Sequence, residues 1–365
     1  MSPVVPVVDV AVLDQYAAWD DAWRDLTRRA EANVFADPAF LLPALRYLAS
    51  KRRVRLVLIW ETSQRVKLIG VAAIEAPLGG LGFARVWRSE QAALGALLVD
   101  SGAAASALAA LLGWVEATWP WGAGLRLRWL EPDGVIAQVV AATAVVEVVE
   151  TVQRAALQFG SARVRESGKR HKESARLARR LAEHGRLESR VAGDAAAIER
   201  FLSLEAGGWK GARGTALADD PGLAGFAREM LAAFAWEGRL RIHELALDDA
   251  PVAAGVELRA GRRAFFWKTA YDEGYSAYSP GVLLTRALTE RLIADGDVDF
   301  VDSCAAPNHP MIDRLWPDRL KLVDLVVARR AKPHFAAAAA LARNFVAARD
   351  RVKRLAASWL RRKPS

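Results

Sequence analysis

The chain has 365 residues, of which 53% are hydrophobic and 25% are charged, with one cysteine and a formal net charge of +9. This composition is typical of a globular protein rather than a disordered one, and a lone Cys304 excludes a disulfide framework or a cysteine-built metal site. The charge does not indicate a nucleic-acid-binding body, because residues 329–365 hold eleven basic residues and one acid, and the rest of the chain holds 40 and 41.

The first residues do not resemble a secretory signal, since they lack a basic region and carry early proline and aspartate. No stretch reaches the roughly 18 apolar residues that a membrane-spanning helix requires. We therefore expect a cytoplasmic protein whose thiol is reduced. The excess of arginine over lysine, 41 to 10, and the abundant alanine hint at a GC-rich bacterial genome.

The first half of the chain predicts alternating helices and strands. Loose alternation predicts a strand over residues 4–13, and apolar residues at helical spacing predict a helix over 14–32. Asp37 and Pro38 predict the N-cap and first turn of a second helix that ends near Tyr47. The further predicted elements are a hairpin (54–60 and 67–76), a helix (103–119), a strand (125–130), a helix (135–144) and a strand (145–156).

A basic segment follows, with ten basic and four acidic residues over 163–190. Leu177 and Leu181 give it one narrow apolar stripe, which predicts an exposed helix that bridges two halves of the chain. Such a helix is either a solvated connection or a grip for an acidic partner such as tRNA or a carrier protein.

The second half repeats the order of the first: helix, helix, hairpin, strand, helix, strand. The predicted elements are helices at 195–206 and 221–237, a hairpin at 240–247 and 251–258, a strand at 263–271, a helix at 280–294, a strand at 298–304, a short helix at 310–316 and a strand at 322–328. This order is consistent with the internal duplication of an α/β unit. We predict an N-terminal lobe (1–160), a basic bridge (161–190), a C-terminal lobe with the active site (191–331) and a basic tail (332–365).

The segment around Ser279, Pro280 and Gly281 is the first candidate binding site. A helix that begins there offers free backbone N–H groups and the positive end of a helix dipole, which bind phosphate without a charged side chain. The alternative is a well-capped helix that binds nothing.

Short motifs in the second half occur in a fixed order. They are 204–217 (Leu-Glu-Ala-Gly-Gly-Trp-Lys-Gly-Ala-Arg-Gly-Thr-Ala-Leu), 251–255 (Pro-Val-Ala-Ala-Gly), 267–273 (Trp-Lys-Thr-Ala-Tyr-Asp-Glu) and 278–281 (Tyr-Ser-Pro-Gly). Together with the basic segment 169–181, they resemble the BioF2-like acetyltransferase family, a branch of the GNAT acyltransferases often labelled CelD/BcsL and similar to the Fem-type peptidyltransferases. The resemblance covers roughly residues 20–330.

The resemblance implies an α/β (α+β) chain with a tandem GNAT-like fold: mixed central sheets flanked by helices, here with a C-terminal amphipathic helix. It implies that strands 264–271 and 298–304 splay apart around an acyl-thioester arm and that loop 275–281 binds pyrophosphate. This loop lacks the common Gln/Arg-x-x-Gly-x-Gly/Ala run. The donor therefore stays open between acyl-CoA, including acetyl-CoA, and an acyl carrier protein, and no metal is expected.

The resemblance also implies candidate site residues, each with a simpler alternative. Asp302 is a base at the cleft or a turn residue, Lys268 is a site cation or an edge-strand charge, and Tyr278 is an acid for the leaving sulfur or a packing residue. The donor-binding candidates are Tyr275, Ser279, Gly281 and Thr269, and the acceptor-binding candidates are Trp209, Lys210 and Tyr271. Of the scattered histidines, only His309 merits a test, and none forms a metal motif.

The tail has its own pattern. Apolar residues recur every three or four positions, and basic residues lie off this stripe. The stripe consists of Leu341, Phe345, Ala348, Val352, Leu355 and Trp359. A basic amphipathic helix suits an anionic membrane surface or a partner helix, and the alternative is a helix docked on its own domain.

The leading functional hypothesis is an N-acyltransferase that acylates an amine of an envelope, polysaccharide or lipid precursor in the cytoplasm, peripheral to the inner membrane. A second hypothesis, motivated by the basic segment, is a Fem-like transferase that uses aminoacyl-tRNA. A third is a non-catalytic scaffold at the membrane.

Overall fold

The computed structural model describes residues 5–49, 54–159, 168–208, 214 and 216–360. In this part of the chain the strands are β1 (Val7–Val10), β2 (Val54–Trp60), β3 (Leu68–Glu75), β4 (Phe83–Val86), β5 (Leu97–Val99), β6 (Gly124–Leu130), β7 (Val145–Gln158), β8 (Leu187–Ala192), β9 (Leu240–Leu247), β10 (Ala250–Ala260), β11 (Arg263–Tyr271), β12 (Phe300–Asp302) and β13 (Asp318–Ala328). The helices are α1 (Asp20–Arg29), α2 (Pro38–Leu48), α3 (Ala104–Thr118), α4 (Val135–Thr143), α5 (Gly168–Leu181), α6 (Ala195–Gly207), α7 (Pro221–Trp236), α8 (Pro280–Asp295), α9 (Ile312–Leu315) and α10 (Phe335–Leu360).

All the described strands join one mixed sheet, in the order β1-β2-β3-β4-β6-β13-β7-β12-β11-β10-β9-β8, with β5 paired to β3. From either edge, antiparallel pairs lead inward to one parallel pair, which is β4–β6 on one side and β11–β12 on the other. Between these pairs, β13 lies against β6 and β7 lies against β12. Each half thus contributes a strand to the other, and the two halves form one hydrogen-bonded layer.

The mixed α/β fold predicted from the sequence is confirmed, with its strands in one sheet rather than in separate ones. Local signals placed several elements correctly. The Asp37 carboxylate accepts a hydrogen bond from the Ala39 backbone N–H (2.9 Å), and Pro38 opens α2 as predicted.

The sequence analysis missed β4, β5 and β8. The prediction of a basic helix as far as residue 190 is wrong, because α5 ends at Leu181 and β8 begins at Leu187. Gly185 adopts a φ of 155° between them, a conformation that side chains rarely allow, and the chain turns into an edge strand paired with β9.

Aromatic packing joins the two halves beneath the sheet. Phe40 of α2 meets Phe226 of α7 edge to face, with ring centroids 5.2 Å apart, and both rings contact Trp267 of β11. The Trp267 indole N–H donates to the Gln91 carbonyl at 2.7 Å. Strand β11 is therefore held by the first half of the chain.

The C-terminal helix docks on the sheet of its own chain. Phe335, Ala339 and Val346 are buried against β7 and β13. Arg349 of the same helix forms an ion pair with Glu150 at 2.6 Å. No helix in the described residues is both long and apolar enough to cross a bilayer.

Candidate functional site

The candidate site begins where two parallel strands separate. Strands β11 and β12 pair only from Arg263 to Phe265, opposite Phe300 to Asp302. Beyond this point β11 continues to Tyr271. The segment that follows β12 turns away from it at Cys304, which has a φ of 53°. The separation opens a cleft of about 440 Å³ between them.

Four parts of the second half line the cleft: the end of α6, the outer half of β11, the start of α8 and the segment that leads into α9. The lining residues are Leu204, Glu205, Gly208, Phe266, Trp267, Lys268, Thr269, Ala270, Tyr271, Gly281, Ser303, Cys304, Ala305, His309, Met311 and Ile312. A mostly apolar wall with a few polar groups is typical of a small-molecule site.

Strand β11 is irregular where it lines the cleft. In its pairing with β10, Phe266 lies opposite Glu257 and Lys268 lies opposite Val256, so Trp267 is an extra residue. Such a bulge bends a strand and re-aims its side chains. Phe266 packs over Gly255, where a Cβ atom would come within 2.5 Å of its ring. The absence of a side chain at Gly255 therefore leaves room for this ring against β10.

The start of α8 forms one end of the cleft. Ser279 precedes the helix in a left-handed conformation and makes no side-chain cap. Its carbonyl accepts hydrogen bonds from the N–H groups of Val282 and Leu283. Gly281 faces the cleft, and a helix N-terminus at this place favours an anionic ligand group.

The structure brings four of the predicted site residues together in the cleft: Lys268, Thr269, Tyr271 and Gly281. The Lys268 ammonium lies 5.3 Å from the centroid of the Trp267 ring. Trp209 and Lys210, predicted to bind the acceptor, lie outside the described residues. Four others, Tyr275, Tyr278, Ser279 and Asp302, do not line the cleft.

Asp302 is the clearest correction, because its carboxylate does not face the cleft. It is completely buried and accepts two hydrogen bonds from the guanidinium of Arg154, at 2.7 and 2.5 Å. Its Oδ1 atom also accepts the Cys304 N–H at 2.9 Å. Burial disfavours the charged guanidinium, but the charge of Asp302, its hydrogen bonds and the other acidic groups nearby together outweigh burial and hold the pKa of Arg154 above its ordinary value.

Tyr278 faces the basic helix rather than the cleft. Its hydroxyl lies 2.6 Å from Nε2 of His184, and the Arg180 guanidinium lies 5.5 Å from the centroid of its ring. Tyr275 and Tyr278 both pack against the end of α5. The basic segment therefore supports the loop that precedes α8, and the Tyr278 hydroxyl is not directed at a leaving group in the cleft.

His309, which the sequence singled out only for a test, does line the cleft. Its Nδ1 atom accepts a long hydrogen bond of 3.4 Å from the Ile312 N–H. Because Nδ1 is used as an acceptor, a neutral imidazole carries its proton on Nε2. In this tautomer Nε2 of His309, a residue of the cleft lining, is a hydrogen-bond donor.

Sequence reasoning missed two further residues of the cleft. Glu205 is buried at the end of α6 and accepts the Leu217 N–H at 2.9 Å. Its only signal in the sequence was its place in the motif 204–217.

The second residue is Cys304, which also lines the cleft. Burial, and then the charge of Asp302, raise the pKa of its thiol well above the ordinary value. This thiol is therefore protonated at neutral pH and is a poor nucleophile.

Comparisons with known proteins agree with the fold. Residues 168–309 match the family model of the acetyltransferase (GNAT) domain. The chain is also similar to the C-terminal domain of a protein described as a lysylphosphatidylglycerol synthetase from Agrobacterium fabrum, with a TM-score of 0.55 and 13% identity over 90% of this chain and 96% of that one.

FemX is similar too, with a TM-score of 0.52 and 10% identity over 83% of this chain and 90% of that one. A conserved protein of unknown function from Bacteroides thetaiotaomicron has a TM-score of 0.52 and 9% identity over 88% of this chain and 99% of that one. At such identities these similarities show the fold alone. No curated protein sequence matches the chain.

The matched segment contains α5, β8 to β12 and every described residue of the cleft except Met311 and Ile312. The chain is therefore a transferase with a GNAT domain in its second half, and its cleft lies in that domain. Among the described residues, no group of three or more histidine, cysteine, aspartate or glutamate side chains could hold a metal ion.

Proposed function

We propose that this chain is an N-acyltransferase that moves an acyl group from a thioester donor, acyl-CoA or an acyl carrier protein, to an amine of an envelope, polysaccharide or lipid precursor. The observation that carries the proposal is the gap between β11 and β12, which ends at Gly281 and the start of α8. A narrow apolar gap suits a pantetheine arm, and a helix N-terminus suits the phosphates at its end.

In this arrangement the reaction needs little beyond positioning. The amine nitrogen attacks the thioester carbonyl carbon, the carbon–sulfur bond breaks, the amine loses a proton to solvent, and the thiolate gains one. Holding amine and thioester side by side supplies much of the rate. The bulge at Trp267 interrupts the ladder beside the gap, where the carbonyl of a bound thioester would lie.

Two polar groups of the cleft receive roles in this proposal. His309 donates its Nε2 proton as a hydrogen bond to the developing negative charge, a contribution of about 10²- to 10⁴-fold in rate for a well-placed acid. Glu205 is a positioning residue, because it holds the backbone of Leu217 after the segment that carries Trp209. Asp302 has no part in proton transfer, since Arg154 occupies both of its oxygens.

A second candidate function uses an aminoacyl-tRNA as the donor. The observation that favours it is the contact of α5 with the loop before α8, where Arg180 stacks on Tyr278. The exposed arginines of α5 lie beside the donor end of the cleft, and the Agrobacterium protein of similar fold is described as a lysylphosphatidylglycerol synthetase. A polyanionic donor would bind to such a surface with a steep dependence on salt.

Calorimetric titration separates the two donors. The proposal expects saturable binding of acetyl-CoA, a longer acyl-CoA or an acylated carrier protein. The Arg180→Gln variant should change this affinity little, because a thioester arm is held in the cleft. Aminoacyl-tRNA binding that falls steeply with salt and is weakened by Arg180→Gln, but not by the control Arg262→Gln at the far end of β11, would establish the second candidate. Failure of every thioester donor to bind would overturn the first.

A further inference from the structure

The C-terminal helix α10 carries two apolar faces. One face docks on the sheet, where Phe335 and Val346 are 3% and 6% exposed. The other face contains Leu341, Phe345 and Val352, which are 71%, 70% and 65% exposed. These three residues belong to the stripe that the sequence analysis identified from their spacing. The stripe therefore is not the face by which the helix docks on its own domain.

Helix geometry explains why the two faces are distinct. At about 100° per residue, positions 341, 345 and 352 fall on one side, and positions 335, 339, 342 and 346 fall on a face whose centre is about 110° away. A helix that packs on a single domain needs only one apolar stripe, with polar residues elsewhere. A second apolar stripe that is several turns long and exposed indicates a surface that binds a membrane or another protein.

The charge of the tail favours a membrane over a second copy of the chain as the partner of this stripe. Residues 329–365 contain eleven basic residues and one acid. On the docked side Arg343 and Arg349 pair with Glu147 and Glu150 of β7, so the sheet neutralises part of this charge. Arg351 is exposed one position before Val352 of the stripe. Two copies joined through this face would bring two strongly positive tails together, whereas an anionic bilayer would attract them.

Exposed apolar residues continue beyond the N-terminal end of α10. Leu78 and Leu81 lie in one loop and Trp121 in another, and they are 87%, 64% and 77% exposed. The Ala123 N–H donates to the Gly82 carbonyl and joins the two loops, while the Lys332 ammonium holds the Gly122 carbonyl at 2.8 Å. An exposed tryptophan beside leucines is typical of a residue set that enters the interfacial region of a membrane.

We propose that the exposed stripe of α10, together with the loops around Leu78 and Trp121, binds the chain to an anionic membrane surface. The helix lies in the plane of the interface, with its apolar stripe among the acyl chains and the exposed Arg351 at the phosphates. The proposal does not depend on the donor or on the reaction.

Flotation of the full chain with lipid vesicles tests this. We expect binding to vesicles of phosphatidylcholine and phosphatidylglycerol in equal parts, weak binding to phosphatidylcholine alone, and release by high salt. The double variant Leu341→Ser, Phe345→Ser should lose affinity by about tenfold or more, since two large apolar side chains no longer enter the lipid. The control Trp236→Ser removes a 92% exposed ring at the end of α7 and should bind as the wild type does.

Circular dichroism and thermal unfolding check the fold of both variants, which should be retained because the substituted residues are exposed. Equal vesicle binding by the double variant and the wild type would overturn the proposal, as would the absence of binding to anionic vesicles. A concentration-dependent dimer of the wild type that is lost in the double variant, with no vesicle binding, would assign the stripe to a second copy instead.

Discussion

The guanidinium of Arg154 grips the carboxylate of Asp302 through two hydrogen bonds, and both side chains are sealed from solvent. Arg154 lies on β7, which comes from the first half of the chain, and Asp302 ends β12 beside the cleft. Arg154 also donates to the Ala93 carbonyl at 3.0 Å. Arg154 thus links β7, on which it lies, to β12 and to the loop of the first half that contains Ala93.

Breaking this pair should destabilise the fold. Asp302→Ala leaves a buried guanidinium without its partner, and we expect a loss of about 3–5 kcal/mol in the free energy of unfolding. The double variant Arg154→Met, Asp302→Leu removes both charges and should lose less than the single variant. Urea denaturation measures both. If Asp302→Ala kept wild-type stability and lost only turnover, the carboxylate would be a catalytic group after all.

The Cys304 thiol should make stability depend on pH in the alkaline range. In the unfolded chain the thiol ionises near pH 9, whereas burial and the charge of Asp302 keep it protonated in the folded chain. The folded state binds the extra proton, so its stability advantage is complete below about pH 9 and falls above it by about 1.4 kcal/mol per pH unit.

The test compares the wild type with Cys304→Ala in urea from pH 8 to pH 10. The difference in unfolding free energy between the two should change with pH above the ordinary thiol pKa, and a constant difference would contradict the prediction. The native thiol should also react slowly with iodoacetamide at neutral pH and rapidly once the chain is unfolded. Turnover by Cys304→Ala would exclude an acyl-cysteine intermediate.

Local patterns in the sequence were sufficient for most of the fold. The cap at Asp37, the hairpin of β9 and β10 and the strand β11 are each signalled by a few neighbouring residues. The very short strands β4 and β5 carry no such signal, since three or four residues are too few to show a period. The order of strands in the sheet depends on pairings that no local pattern specifies.

In the candidate site, too, the residues with a local sequence signal could be predicted, and those that depend on distant partners could not. Lys268, Thr269 and Tyr271 could be predicted because they lie on one strand next to a recognisable helix start. The position of Asp302 could not, since its partner Arg154 is 148 residues away in the chain and lies in an ordinary strand. A carboxylate at the end of a cleft strand has the same sequence signal whether it faces ligand or a buried arginine.

The start of α8 offers a direct test of donor binding. In Gly281→Ala the new Cβ atom would lie 3.7 Å from Sδ of Met311 and 3.8 Å from Cδ1 of Tyr271, which is ordinary contact, so the fold should be retained. The methyl group would project toward the end of the cleft and should weaken acyl-CoA binding by about tenfold, a change of roughly 1.4 kcal/mol.

The matched control is Gly207→Ala at the end of α6, where a Cβ atom would meet nothing within 4 Å. It makes the same chemical change outside the lining of the cleft and should bind the donor as the wild type does. Calorimetry measures both affinities. Unchanged binding by Gly281→Ala would mean that the donor does not approach the start of α8.

The role of His309 can be tested with two substitutions, because each one replaces the function of only one of its ring nitrogens. Glutamine can place an amide N–H near the position of Nε2, whereas asparagine can accept the Ile312 N–H as Nδ1 does but offers no donor to the cleft. If His309 acts by donating from Nε2, His309→Gln should retain more turnover than His309→Asn, with His309→Asn reduced by about 10²-fold. The control is His334→Gln, which changes an exposed histidine outside the cleft and should keep wild-type turnover. Equal losses in both variants would point to a proton transfer that only an imidazole can perform, and no loss in either would remove His309 from the reaction.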